Sequence, residues 1–156
     1  MNYYDSIAES YDYLYKGEQL KKFDNVKDLI SKGLILDLGC GNGFITEKLN
    51  NAVGVDNSVK MLEKCPPNLR VIQADIPSLP FKDETFDLVF SLTALQDVND
   101  IESAVSEIKR ILKPKGRIVL SVLRKKKINE IEKELKKNFK KMKIKENFND
   151  LVFFTL

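Results

Sequence analysis

Residues Leu34 to Thr46 read LILDLGCGNGFIT: an apolar run, an acid, then glycine at alternate positions, Gly39, Gly41 and Gly43. Glycines directly after a strand let the backbone bend sharply and let a ligand approach where a Cβ would obstruct it. A second short apolar stretch, Val53-Gly54-Val55, ends in Asp56, 17 residues after Gly39. A carboxylate offers two acceptor oxygens to two adjacent donors, so an acid in that position suits the paired hydroxyls of a ribose. Glycine turn and following acid together are the chemistry of nucleotide binding. The same glycines can also serve only to pack a strand against the next segment.

Groups able to move a proton are sparser. Histidine is absent, which excludes an imidazole base and any imidazole metal site, and no metal is expected. Cys40 and Cys65 make neither a CxxC pair nor a disulfide framework, and Cys40 reads as a small residue filling a tight turn. The catalytic residues are otherwise unassigned, with Tyr4, Thr93 and Asp97 as the candidates. Asp97 could orient or deprotonate an acceptor, or could merely open a helix. Four of the first thirteen residues are Tyr, a density foreign to a disordered tail. Tyr3, Tyr4 and Tyr11 could stack over a ligand or pack an N-terminal arm onto the domain.

The elements that must position these groups are legible in the pattern. Consecutive apolar residues at Leu34 to Leu36 predict a parallel strand covered on both faces. Phe44, Ile45 and Leu49 predict a helix after the glycine turn. Asn57 or Ser58 can cap a helix carrying Val59, Met61 and Leu62. Arg70 to Gln73 and Phe86 to Ser91 read as the third and fourth strands, separated by a loop with Pro77 and Pro80. Upstream, Leu20, Phe23, Val26, Leu29 and Ile30 are spaced for one helix face, with Gly33 as its stop. Asn99 precedes Glu102 by three residues, a capping box for a helix with the face Ile101, Ala104, Val105, Ile108, Ile111 and Leu112. Pro114 and Gly116 end it before a fifth strand, Arg117 to Val122. Ile128, Ile131, Leu135 and Phe139 mark another helix, and Lys141 to Glu146 with Leu151 to Thr155 a closing antiparallel hairpin. Strands alternating with helices predict an α/β doubly wound sheet.

With those segments in view, the chain resembles the class I S-adenosylmethionine (SAM) dependent methyltransferases, and within them a group of small archaeal members. LDLGCGNG at 36 to 43, VGVDNSVKML at 53 to 62, QADIPSLPF at 73 to 81, FDLVFSLTALQDV at 86 to 98 and LKPKGRIVLSV at 112 to 122 carry the resemblance, in the family's order. It implies a seven-stranded sheet of order 3-2-1-4-5-7-6, last strand antiparallel, with helices on both faces and a ligand crevice at the carboxyl ends of strands one and four. It implies SAM as cofactor. The backbone of Gly39, Cys40, Gly41, Asn42 and Gly43 would pass under its amino acid portion, with Asp37 near the ammonium. Asp56, with Asn57 beside it, would take the ribose, Met61 would pack on the purine, and Asp75 with Ile76 would read the adenine edge. Ser91 and Leu92 would lie beneath the transferable methyl, and Tyr11 would belong to a lid. Met61 also fits a core methionine, and Asp75 a loop cap. Many small-molecule members read LHHV after strand four where this chain has LQDV, Leu95 to Val98, which puts a His-assisted mechanism out of reach. Neither an NPPY-like tetrad nor a pyrimidine-C5-type cysteine is present. Acceptors that need little base help fit best: a carboxylate, thiol, neutral amine or activated carbon.

Length and charge bound the rest. The 156 residues suit one domain, an aromatic arm and helix over 1–32 and a sheet core over 33–156. No apolar run approaches the roughly 20 residues of a membrane helix, and the N-terminus is acidic and aromatic, so a cytoplasmic location away from membranes is expected. Net charge is only +3, but Arg124 to Lys127 is an unbroken basic run followed by seven more lysines between Lys133 and Lys145. These form either a solvated helix face of a lysine-rich, heat-adapted kind or a patch for RNA phosphates. The chain has almost none of the insertions with which small-molecule members cover their substrates, so the acceptor is expected to be large or a partner to complete the site. Some relatives of the archaeal group work with a small zinc-binding activator on tRNA or translation factors. The expected enzyme is a SAM-dependent methyltransferase, with RNA or a translation component favoured as acceptor. The alternatives are a small-molecule O-, N- or S-methyltransferase and a non-catalytic SAM-binding scaffold subunit.

Overall fold

The computed structural model describes residues 3–125 and 127–156; Met1 and Asn2 of the arm and Lys126 of the basic run lie outside the described residues. β1 (Ile35–Leu38) is buried at every position, as its unbroken apolar character requires. It lies between β2 (Ala52–Asp56) and β4 (Phe86–Leu92), parallel to both. β3 (Val71–Gln73) extends one side and β5 (Leu112–Leu123) the other, also in parallel. β7 (Asp150–Phe154) runs antiparallel between β5 and β6 (Lys143–Asn147). The resulting order, β3-β2-β1-β4-β5-β7-β6, is the one the motifs imply.

Side chains on alternate positions divide the core in two. On one face α4 (Ile101–Ile111) and α5 (Ile128–Asn138) bury Ala104, Val105, Ile108, Ile131 and Leu135 against Leu36, Leu38, Val89, Ile118 and Leu120. On the other, Phe23 at the end of α2 (Tyr11–Asp24), with Val26, Ile45 and Leu49, covers Ile35, Leu88, Phe90, Val119 and Val152. The short helices α1 (Tyr3–Ile7) and α3 (Val59–Leu62) pack on one another near the strand ends. Among the described residues no helix is long and apolar enough to cross a membrane.

Several local expectations are corrected. Leu112 opens β5, which takes in Pro114 and Gly116, instead of closing the face of α4. The glycine turn leads into a single 3-10 turn, Thr46–Lys48, instead of a regular helix, because β2 already starts at Ala52. Ile45 and Leu49 are still buried, whereas Phe44 is half-buried with the Lys16 and Lys48 ammonium groups 4.5 and 4.9 Å from its ring centre. The first long helix begins earlier and ends at Asp24; Val26 bonds back to Phe23, and Lys27–Leu29 form a 3-10 turn that delivers an extended Ile30 toward β1. The cap of α4 is Asp100, not Asn99: its carboxylate accepts from the Ser103 N–H at 3.0 Å and the Ser103 hydroxyl at 2.7 Å, the reach an Asp N-cap makes to the third helical residue.

One buried charge pair ties the N-terminal helix to the far side of the sheet. Lys22 is 2% exposed, and its ammonium lies 3.0 Å from Asp150 and 2.7 Å from Glu18. Asp150 in turn accepts from the Ser121 hydroxyl at 2.6 Å, and Asn147 donates to the Lys22 carbonyl at 3.0 Å. Removing one partner of such a pair strands the other charge in the interior. Lys22→Met is therefore expected to destabilise the fold by about 3–5 kcal/mol in urea denaturation. Lys22→Met combined with Asp150→Asn is expected to be the more stable of the two variants; a double variant worse than the single one would show that the pair is not the source of the loss.

Candidate active site

Because β1, β2, β3 and β4 are parallel, the segments that follow them all emerge on one edge of the sheet, where ligands bind in open α/β folds. Gly39 and Cys40 both donate their N–H to the Val55 carbonyl, at 2.8 and 3.0 Å, folding the turn back across β2. Gly39 has φ +71, and a Cβ there would stand 2.4 Å from that of Ala94. Gly43 has φ +79 and a Cβ there would meet Leu69 at 2.6 Å. Glycine at these two positions is thus required by packing and backbone conformation together. The floor beneath Gly41 is Met61, buried, whose Cε lies 3.1 Å from where a Gly41 Cβ would be.

Asp56 holds the two turns together. One carboxylate oxygen accepts from Gly41 N–H and the other from Ser58 N–H, both at 2.9 Å. Burial raises its pKa, and the N–H groups of Ser58, Gly41 and Asn57 act against that rise. Each oxygen retains acceptor capacity, since an ionised carboxylate has about four lone-pair sites, so vicinal hydroxyls find a fitting partner here. Asp37, 2% exposed, accepts from the Thr46 hydroxyl at 2.7 Å. Burial pushes its pKa up to about 7, with Thr46 opposing the rise and Asp56 adding to it. A carboxylate of this kind, in the lining of the crevice, favours a cation beside it.

The N-terminal arm lies across these strand ends through a series of polar contacts. Ser58 donates to Asp5 and Asn42 to Asp12; Gln19 donates to the Thr93 hydroxyl at 3.0 Å. The Tyr4 hydroxyl donates to Asp97 at 2.7 Å, and the Tyr4 ring meets that of Tyr11 edge-on at 6.4 Å. Burial and the bond to Asp97 hold the Tyr4 hydroxyl well above the ordinary phenol value, and burial with the nearby Asp56 pushes Tyr11 up to about 12. Both phenols therefore stay protonated at neutral pH and can donate but not act as bases. Under the arm, Tyr11, Gln19, Asp37, Gly39, Cys40 and Leu92 enclose about 30 Å³.

At the end of β4, Ser91 is buried and donates to the Leu38 carbonyl at 2.9 Å, binding β4 to β1. Thr93 adopts φ +60, a strained conformation for a β-branched residue. Gln96 donates to the Thr93 carbonyl at 2.6 Å and to Asp97 at 3.1 Å, while its own buried carbonyl oxygen has no partner. Of the residues singled out in sequence, Tyr11, Asp37, Gly39, Cys40, Asn42 and Leu92 line one crevice; Tyr4, Gly41, Asp56, Thr93 and Asp97 lie at the same edge of the sheet through the hydrogen bonds above, with Met61 buried under Gly41 and Ser91 joining β4 to β1. Asn57 stands beside Asp56 and accepts from Gln73 through its carbonyl at 3.4 Å. Asp75 is exposed in a turn closed by the Ser78 N–H, outside the crevice lining, and Ile76 packs on the core.

Sequence reasoning missed Asp5, Asp12, Gln19, Thr46 and Ser58 as contributors. Asp5, Asp12 and Gln19 recur at sevens, and Asp12 and Gln19 share one face of α2 through two helical turns; that spacing was the available signal. It also missed that Cys40 and Cys65, distant in sequence, converge on the Gly41 carbonyl, with sulfur-to-oxygen distances of 3.8 and 3.4 Å.

Asp37 gives the fold a pH signature. Its carboxyl is protonated in the folded state at pH values where the unfolded chain has already ionised it, so its contribution is largest below about pH 4 and is lost as pH rises toward about 7. Asp37→Asn is expected to gain stability relative to the parent across that interval, by on the order of a few kcal/mol. Denaturant midpoints of both proteins at a series of pH values check this; a pH-independent difference would contradict the buried, raised carboxyl.

The model of the methyltransferase domain family matches residues 36–120. A protein of Methanocaldococcus jannaschii described as uncharacterised, MJ1252, is 37% identical over 147 residues, which are 90% of this chain and 59% of the relative. The chain spans about half to three-fifths of the length of the first curated relatives it matches. A Thermotoga maritima structure described as a SAM-dependent methyltransferase, possible histamine N-methyltransferase, is 28% identical with a TM-score of 0.68, over 91% of this chain and 67% of that one. A chain solved in complex with the Trm112 methyltransferase activator of Haloferax volcanii shares the fold at 17% identity and a TM-score of 0.78, over 99% of this chain and 97% of that one. With the matched domain covering more than half of its length, and with the strand order and crevice described above, the chain belongs to the class I S-adenosylmethionine-dependent methyltransferases.

Proposed function

We propose that this chain transfers a methyl group to RNA or to a component of the translation apparatus presented at the carboxyl end of β4. The observation that carries methyl transfer is the meeting, at one edge of the sheet, of Asp56 and Asp37 with the hydrogen-bonded pair Tyr4–Asp97. Bound SAM supplies a methyl on a sulfonium, which is already a good leaving group. What remains for the protein is binding, alignment and, for some acceptors, removal of a proton.

Asp56 binds ribose hydroxyls through its free lone pairs, and Asp37 faces the ammonium, which favours the ionised carboxylate. Tyr11 covers the site from the arm. Asp97 is the acceptor for a proton or an N–H of the incoming nucleophile, and Tyr4 holds it in place by donating to it. Alignment of this kind contributes about 7–11 kcal/mol in favourable cases, enough for a nucleophile that needs little base assistance. A large acceptor is favoured by the connections at this edge: β4 leads to α4, and β5 to α5, through short segments. The large acceptor, in turn, favours a small activator protein as partner, like the one seen with the structural relative.

A second reading, transfer to a small amine, is favoured by the description of the 28% identical structure. Labelled methyl groups offered with total RNA and, separately, with a metabolite extract discriminate the two. Incorporation into RNA, strengthened by a co-purifying small protein, supports the first reading; incorporation into metabolites alone supports the second. SAM binding with no transfer to RNA, to translation proteins offered in the same way, or to metabolites would leave a scaffold subunit.

Calorimetric titration with SAM is expected to show binding that Asp56→Ala weakens at least tenfold, since hydrogen bonds to a charged group are worth about 1.5–3 kcal/mol each. Tyr11→Ala is expected to weaken it less, and unchanged affinity would reassign Tyr11 to packing. Asp97→Asn is expected to lower the rate of transfer at saturating SAM while leaving SAM affinity in place. Loss of SAM binding in that variant would instead place Asp97 in the cofactor site.

A further inference from the structure

The opposite edge of the sheet, where β5 and β6 begin and β7 ends, carries a second depression. It is an open groove of about 670 Å³ lined by Lys109, Lys115, Arg117, Lys140 and Lys141, and no acidic side chain lines it. A net charge of +3 for the whole chain makes five cations in one groove a strong local excess. Of the other basic residues of the C-terminal third, Lys125, Lys133 and Lys143 carry no ion pair among the described residues and stand apart from the groove, while most of the rest are engaged. Lys136 pairs with Glu132, Lys137 with Glu134 and Glu102, Arg124 with Glu146 and Lys113 with Asp87, while Lys127 and Lys145 donate to backbone carbonyls. Among the described residues Lys115, Arg117, Lys140 and Lys141 have no ion pair, and Lys109 has only the Phe139 ring, 5.3 Å from its ammonium.

Helix dipoles account for part of this arrangement. Lys109 lies in the last turn of α4, and Lys140 and Lys141 follow the end of α5, where cations are favoured. Lys115 and Arg117, on the strand entering the sheet, have no such reason to be basic. Unneutralised cations held together repel one another, and an anion with several regularly spaced charges relieves that repulsion. The one aromatic side chain of the groove, Phe139, is 7% exposed, so the groove lacks the accessible aromatic anchor typical of a protein interface.

We propose that this groove binds the phosphate backbone of RNA and docks an acceptor whose methylated position lies at the other edge of the sheet. The proposal rests on the RNA reading of the acceptor. From Arg117 to Leu123 along β5 the chain rises roughly 20 Å, a span that a folded RNA bridges and a metabolite does not. The basic patch proposed is the groove at the end of the lysine-rich helix, where five cations meet with no acidic side chain among them.

The test is fluorescence anisotropy of a labelled, unmodified tRNA transcript with the full chain over a range of salt concentrations. Arg117→Ala/Lys140→Ala/Lys141→Ala is compared with Arg124→Ala/Lys136→Ala/Lys137→Ala, which removes the same charge from paired positions, and SAM affinity is measured for each as a check on folding. The groove variant is expected to bind at least tenfold more weakly and to flatten the salt dependence by about 2–3 in log–log slope. The paired-position variant should lose far less, and SAM affinity should hold in both. Equal losses in the two variants, or no measurable RNA binding by the parent protein, overturn the proposal. Groove-dependent binding without methylation of the RNA would retain the groove and discard RNA as acceptor. Methylation at the parental rate by the groove variant would do the reverse.

Discussion

Two backbone N–H groups, from Gly41 and Ser58, point at one carboxylate, Asp56, and the site is organised around that convergence. The turns after β1 and β2 are each short and irregular, and neither has a long helix behind it to stiffen it. An ion–dipole contact to each turn replaces that support, because hydrogen bonds to an ionised oxygen are about twice as strong as neutral ones. Ser58 also caps α3, accepting from Met61 N–H, and Met61 in turn fills the space under Gly41. Binding group, turn geometry and floor are therefore one connected unit.

The arm above this unit is held by contacts of a different kind. Asp5, Asp12, Gln19 and Tyr4 reach the strand ends through polar bonds at partly exposed positions, three of them to carboxylates. The C-terminal end of the same helix is locked by Lys22 and Asp150 in the interior. The arm is thus anchored in the interior at the C-terminal end of α2 and by polar and aromatic contacts at the strand ends.

Charge is segregated along the strand axis. Asp5, Asp12, Asp37, Asp56 and Asp97 gather at the carboxyl ends of the strands, and Lys109, Lys115, Arg117, Lys140 and Lys141 at the amino ends of β5 and β6. A chain of small net charge thus presents an acidic crevice suited to a cationic cofactor and, on the far edge, a basic groove.

The strands and the glycine turn were legible in sequence because each signal is local, whereas their order followed from the resemblance to the methyltransferase family. Apolar residues on consecutive positions place β1 inside, the alternate glycines mark the turn, and an acid at the end of β2 faces that turn whatever the rest of the chain does. Tertiary structure decided the rest. The helix expected after Gly43 shrank to one turn because β2 begins so soon, and α4 took Asp100 as its cap over an adjacent Asn of similar propensity. The residues that bring the arm to the site, Asp5 to Ser58 and Gln19 to Thr93, are separated by 53 and 74 positions, and Lys22 and Asp150 by 128. No local pattern reports such pairs, since whether a charged side chain is buried, paired or free is set by the neighbours that folding brings. For the same reason the row of lysines read as one basic stretch, and only the folded chain separates those neutralised by acids from those left open to a partner.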